Sequence, residues 1–158
     1  MNTENDGRND FDFLIGAWKV HHRSLKARLK RSTEWGEFDG EMTSRKILSG
    51  LGNLDENILH WSTGSIEAIT LRLFNPVSRA WSIYWSTDRT GTLDTPVIGG
   101  FINGIGEFYS QEIFEGRHIY NRFIWSKITE ESCQWEQAFS EDGGKTWETN
   151  WVMEFERL

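Results

Sequence analysis

The residues of this chain that could do chemistry are four histidines, one cysteine and a scatter of carboxylates and arginines. His21 and His22 are neighbours, and on a strand neighbouring side chains point to opposite faces. They therefore cannot share a metal, and no helical HxxxH pair joins them to His60 or His118. Cys133 is the only cysteine. It excludes an intrachain disulfide and a zinc site of several thiolates, and its apolar surroundings read as those of a buried, inert thiol. There is no GxSxG elbow, and no glycine-rich loop leads a strand into a helix to cradle phosphate. Glu136 and Glu148 alternate onto faces that read as solvent-exposed, which is no arrangement for a glycosidase pair. That leaves Arg72, Arg122 and Gln137. Polar groups inside a folded domain need partners: for Arg122 a ligand carboxylate is one candidate, Glu107 or Glu136 is another, and plain exposure to solvent is the third reading.

The elements that must position these residues are strands. Residues 1–9 are polar and read as a disordered tail, and 10–158 as a single domain. "DFDFLIG" suits one short helical turn, capped by Asp10 and stopped by Gly16. Beyond it, apolar residues recur with period two. "AWKVHHRSL" puts Trp18, Val20 and His22 on one face. "STEWGEFDGEMTSRKIL" holds either two strands broken near Asp39-Gly40 or one bent strand. "NLDENILHW", "SIEAITLRLFN" and "RAWSIYWST" follow, the last with Trp81, Ile83 and Trp85 in phase. "TPVIGGFING" is a glycine-rich candidate. "GEFYSQEIF" and "RHIYNRFIWSKI" flank a hairpin signal at Glu115-Gly116, and "SCQWEQAFS" and "KTWETNWVMEFER" flank a further turn. Such a meander leaves two open edges unless it closes, so the expected fold is all-β: a closed antiparallel up-and-down barrel of about eight to ten strands with a short N-terminal helix.

A barrel of that size has room inside beyond what its own side chains need. Aromatics make up 14% of the chain, with nine Trp and ten Phe. In the last strand Trp147, Thr149, Trp151, Met153 and Phe155 share one face, while Glu148, Asn150, Val152, Glu154 and Glu156 share the other. The acidic face must meet water, so the aromatic one points inward. Trp81, Trp85 and Trp135 are placed inward by the same alternation, with His22, Arg122 and Gln137 as the polar groups among the rings. Both faces of "RHIYNRFIWS" carry rings, so its inward side is open. Together His22, Trp81, Trp85, Arg122, Trp135, Gln137 and Trp151 are the expected ligand-binding set, and the competing reading is that the rings simply fill the barrel.

Net charge is −7, which disfavours nucleic acid and anionic membranes as partners. The basic run "KARLKRS", Lys26–Ser32, reads as a solvated loop. The N-terminus has no apolar signal core, and no run is long enough to span a bilayer as a helix, so the expected location is cytoplasmic. Self-association into a homodimer stays open.

"SEDGGKTW", Ser140–Trp147, resembles the Asp-box of sialidases and related propellers. It occurs once here, and its Asp and Gly residues suit a structural hairpin. Gly16-Ala17-Trp18 resembles the G-x-W signature of lipocalins, in which the Trp closes one end of the barrel beside a basic residue late in the chain. Arg157 is the counterpart that this implies. "FDFLIGAW", "RFIWSKIT" and "WEQAFSEDGGKTWETNWVMEFER" together resemble an uncharacterised bacterial family of lipocalin-like, calycin-type β-barrels, which implies the barrel but no established activity and no cofactor. Nitrobindin-type barrels are a second similarity. They bind haem through a histidine, which draws attention to His22 and His118. The functional expectation is a binding protein for a small apolar or aromatic ligand. The alternatives are an isomerase- or cyclase-type barrel enzyme acting on a lipid-like substrate, a haem-binding barrel, and a filled barrel that works through its outer surface.

Overall fold

The computed structural model describes residues 5–158. Ten antiparallel strands form one closed barrel, each bonded to its neighbour in sequence and the last to the first. They are β1 (Gly16–Leu25), β2 (Trp35–Ile47), β3 (Gly52–Trp61), β4 (Gly64–Asn75), β5 (Ala80–Thr87), β6 (Val97–Ile102), β7 (Ile105–Phe114), β8 (Arg117–Ser126), β9 (Ser132–Ser140) and β10 (Glu148–Arg157). This is the closed up-and-down barrel that the period-two pattern predicts. β2 is one strand, not two. It runs through Gly40, where a Cβ would lie 2.4 Å from the Ile58 carbonyl oxygen and 3.2 Å from His22 Nε2. Glycine at that point lets β3 and the His22 ring close on the strand. Glu115 and Gly116 both have positive φ, 48° and 77°, the signature of a two-residue hairpin turn whose twist matches its strands.

The expected N-terminal helix is only a 3₁₀ turn, Asp12–Leu14. Phe11, not Asp10, stands at its start, without a side-chain cap bond, because Phe11 is drawn into the barrel: it is 1% exposed and packs edge-on against Trp81 and Phe101. This segment plugs one end. The Trp18 indole N–H donates to the Leu14 carbonyl at 2.8 Å. Arg157 stacks over Trp18 at 4.2 Å and donates to the carbonyls of Phe13, Ile15 and Glu130. Trp18 and the late basic residue thus meet as the lipocalin resemblance implies. Of the segment expected to be a disordered tail, residues 1–4 lie outside the described residues. Residues 5–9 turn against the plugged end, and the Trp81 indole donates to the Gly7 carbonyl at 2.9 Å.

The turn between β9 and β10 is built by its own side chains. Asp142 Oδ1 accepts from the Ser140 hydroxyl and the Thr146 amide, and Ser140 Oγ accepts from the Gly144 amide. The Thr146 hydroxyl, which donates to Asp142 Oδ2, and then the Thr146 amide and the Ser140 hydroxyl hold the exposed Asp142 carboxyl at a pKa of about 2, below its usual value. Just past the turn lies a departure from the expected alternation. Thr149 pairs with Ala138 but Trp151 pairs with Gln137, so Asn150 is the extra residue of a β-bulge. The bulge reverses the faces on its turn-ward side. Trp151, Met153 and Phe155 point inward as expected, but Trp147 packs outside against Tyr109 and under Arg122. Glu148, expected in solvent, pairs with inward-facing Phe139 and accepts the Leu29 amide at 2.7 Å. Asn150 is fully buried, and its Oδ1 accepts from Gln137 Nε2 at 2.8 Å. That bond gives a polar residue a place inside and holds the bulge.

Candidate functional site

Two apolar clusters fill parts of the barrel. One packs the plugged end and includes Phe11, Leu14, Trp18, Trp81, Phe108, Trp125 and Phe155. The other, with Phe38, Leu59 and Ala68 backed by Trp61, Trp85 and Trp151, packs β2–β4 nearer the open end. Between them lies a cavity of about 290 Å³, at the small end of ligand pockets, which run to roughly 1,000 Å³.

Its walls differ in chemistry. β5 and β8–β10 supply Ile83, Trp85, Phe123, Trp125, Trp135, Trp151, Met153 and Phe155. Trp135 meets Phe123 and Trp151 edge-on at 4.8 and 5.5 Å. β3 and β4 supply Asp55, Asn57, Thr70 and Arg72. Asp55 and Arg72 sit deep, near the plugged ends of their strands. Arg72 Nη1 lies 2.7 Å from the Asp55 carboxylate, with both side chains at most 3% exposed, and donates to Asn53 Oδ1 at 2.9 Å. The guanidinium also lies over the rings of Phe11 and Trp125. The approach of Arg72 to Asp55 is charge to charge, outside hydrogen-bond geometry. Asp55 Oδ1 and Oδ2, Arg72 Nε, Asn57 Nδ2, Asn121 Oδ1 and Trp125 Nε1 have no hydrogen-bond partner among the described residues. All five of these residues line the cavity.

Arg28, Asp94, Thr95, Glu112 and Phe139 line the mouth. The loop after β1, read from sequence as solvated, turns Arg28 inward over Phe139 and Trp151, at 5.5 and 5.9 Å. Burial lowers the pKa of Arg28, and Glu148 opposes the shift. Burial, reinforced by Glu112, raises that of Asp94.

Of the seven residues expected at the site, Trp85, Trp135, Gln137 and Trp151 line the cavity. Trp81 is buried in the plug, bonded to Gly7. Arg122 does not reach the interior. The inward face of β8 carries Ile119, Asn121, Phe123 and Trp125, and Arg122 lies outside, 4.4 Å over the Trp147 ring. Of the alternatives to a ligand contact, the ion pair with Glu107 or Glu136 is not formed among the described residues, and Arg122 sits half-buried on the outer face. His22 points inward but is enclosed. Its ring stacks on Phe38 at 4.5 Å, Nδ1 accepts from the Trp151 indole at 3.2 Å and Nε2 abuts Gly40. Burial drives its pKa down to about 3. Its neighbour His21, outside between Asp39 and Glu37, shifts the other way because the Asp39 carboxylate holds the protonated ring. His60 bonds Glu41 and Ser65 on the outside, and His118 lies on the outward face of β8. None of the four histidines is among the residues that line the cavity, where the nitrobindin resemblance implies a haem-ligating one. Cys133, facing inward near the plug, is buried, which pushes its thiol up to about 12 and disfavours the thiolate.

Sequence reasoning passed over Asp55, Asn57 and Asn121. The signal was the Asn-x-Asp-x-Asn of "NLDENILHW", three polar residues in phase on the strand face that also carries Leu59.

No protein-family model and no curated protein matches the sequence. Among solved structures, the S-type phycobiliprotein lyase CPES from Guillardia theta is similar in fold. The identity is 10% and the TM-score 0.64, over 100% of this chain and 98% of that one. The likeness is one of fold, and it runs over the whole of this closed barrel.

Proposed function

We propose that this barrel is a small-molecule binding protein that holds a flat, largely apolar, conjugated ligand against its aromatic wall. The observation that carries the reading is that the interior is not filled. A cavity of about 290 Å³ remains beside Phe123, Trp135 and Trp151. The fold similarity to a phycobiliprotein lyase supports the same reading and makes a bilin-like molecule the first ligand to try. A linear tetrapyrrole exceeds this volume, so its far end would extend past Arg28 at the mouth.

The test is titration with biliverdin and with an apolar naphthalene dye, followed by ligand absorbance and tryptophan emission. Binding at micromolar concentration with quenched emission is expected. Trp151→Ala should change affinity by about tenfold, equivalent to about 1.4 kcal/mol, whereas Glu154→Ala, on the outer face of β10, should leave it unaltered. If neither probe binds, or both variants behave alike, the interior is not the site.

A further inference from the structure

We infer that the ligand of this barrel presents an uncharged planar N–H donor, of the amide, lactam or N–H heterocycle class, to Asp55, and that a carboxylate head is rejected. The inference rests on the cavity being the ligand site and concerns which head group its floor selects. Buried polar atoms in folded proteins are almost always partnered, and an unpaired one is costly. On the floor Asp55 Oδ1 and Oδ2 lack donors, while Asn57 Nδ2 and Arg72 Nε lack acceptors. Asp55 is 0% exposed and Arg72 3%. An amide or lactam brings a donor and an acceptor in one plane, which is the complement of these four atoms.

Charge decides among the head groups. Asp55 and Arg72, 2.7 Å apart, already neutralise each other. A carboxylate placed beside them leaves the floor with one net negative charge against Asp55, and an amidinium leaves one net positive charge against Arg72. Either imbalance is heavily penalised out of water, whereas a neutral amide adds none. The mouth offers a carboxylate no better place, because Arg28 there is accompanied by Asp94 and Glu112.

Four ligands of one shape test this: 2-naphthamide, 2-naphthoate, naphthalene-2-carboxamidine and 2-methylnaphthalene, titrated calorimetrically against the whole chain. 2-Naphthamide is expected to bind tightest, about tenfold or more above the naphthoate and the amidine, and several-fold above the methyl compound. In Asp55→Asn the floor carries a net positive charge, so the naphthoate should gain and overtake the amide. A thermal melt establishes that the variant is folded; should it not fold, the order in the unsubstituted protein decides. Equal affinities mean that water serves the floor, and they overturn the inference while leaving the cavity as a site. A naphthoate that equals or outbinds the amide overturns it as well, as does an unchanged order in folded Asp55→Asn. If none of the four binds, the inference falls together with the proposed function.

Discussion

Two walls of the same cavity are made in opposite ways. The β8–β10 wall is rings packed edge to face: Phe123 on Trp135, Trp135 on Trp151. The β3–β4 wall is a buried ion pair with amides around it: Asp55 and Arg72, flanked by Asn53 and Asn57. Rings tolerate the space beside them at the loss of some dispersion contacts. Charges do not, because an ion taken from water without full pairing costs more than its partner returns. The aromatic wall therefore sets how much room there is, and the polar wall sets the charge and the free donors and acceptors that face it.

Breaking the polar wall should cost most. Arg72→Met strands the Asp55 carboxylate with no cation, and the expected loss is about 3–5 kcal/mol of unfolding free energy. Urea denaturation measures it. Making Asp55→Leu as well, so that both charges are gone, should recover most of that loss and abolish discrimination between neutral and anionic ligands. A double variant as unstable as Arg72→Met would show that the wall is held by geometry rather than charge.

On the other wall, Trp135→Ala should cost about 3 kcal/mol and enlarge the cavity. Larger aromatic probes should then bind more tightly, and the preference among head groups should stay as it was. Loss of head-group preference in this variant would erase the division of labour between the walls.

His22 offers a test by pH. Folded, it resists protonation down to about 3, whereas its ordinary pKa is 6.5. Between those values the unfolded chain binds more protons, so stability falls as pH drops through this window and is unaffected by His22 above it. The slope is at most about 1.4 kcal/mol per pH unit. The difference between the parent protein and His22→Phe, followed by urea midpoints from pH 7 to pH 4, should show it. No difference in slope would mean that the ring is not shut away from water.

The smallest effect is expected outside. Arg122→Ala removes the guanidinium that lies half-buried over Trp147, a contact worth about 1 kcal/mol, and should leave ligand affinity unchanged. A loss of affinity would bring β8's outer face into the site.

The β5 and β10 parts of the aromatic wall were legible because those strands alternate cleanly. Trp81, Ile83 and Trp85, or Trp151, Met153 and Phe155, leave one choice of inward face. The polar wall was not, because both faces of β3 and β4 mix apolar and polar residues. Outward Ile58 and Ile69 are 41% and 37% exposed while inward Asp55 is wholly buried, so hydrophobicity points to neither face. Arg122 was misplaced for the same reason, since Tyr120 and Ile124 share its face on β8. Trp147 and Glu148 were misassigned because one bulge residue, Asn150, shifts the phase of everything before it, and a period-two reading has no term for an inserted residue. Arg28 lies on a loop, where alternation says nothing about direction.

The N-terminal plug has a consequence for traffic. With Phe11, Trp18 and Arg157 sealing one end, whatever enters must go in and come out by the same door. The Asp55–Arg72 floor lies toward the sealed end, and the rings of Trp85 and Trp151 lie toward the open one. A ligand of the proposed kind would enter head first, and only its far end, beside Arg28, Asp94 and Glu112, would stay within reach of solvent.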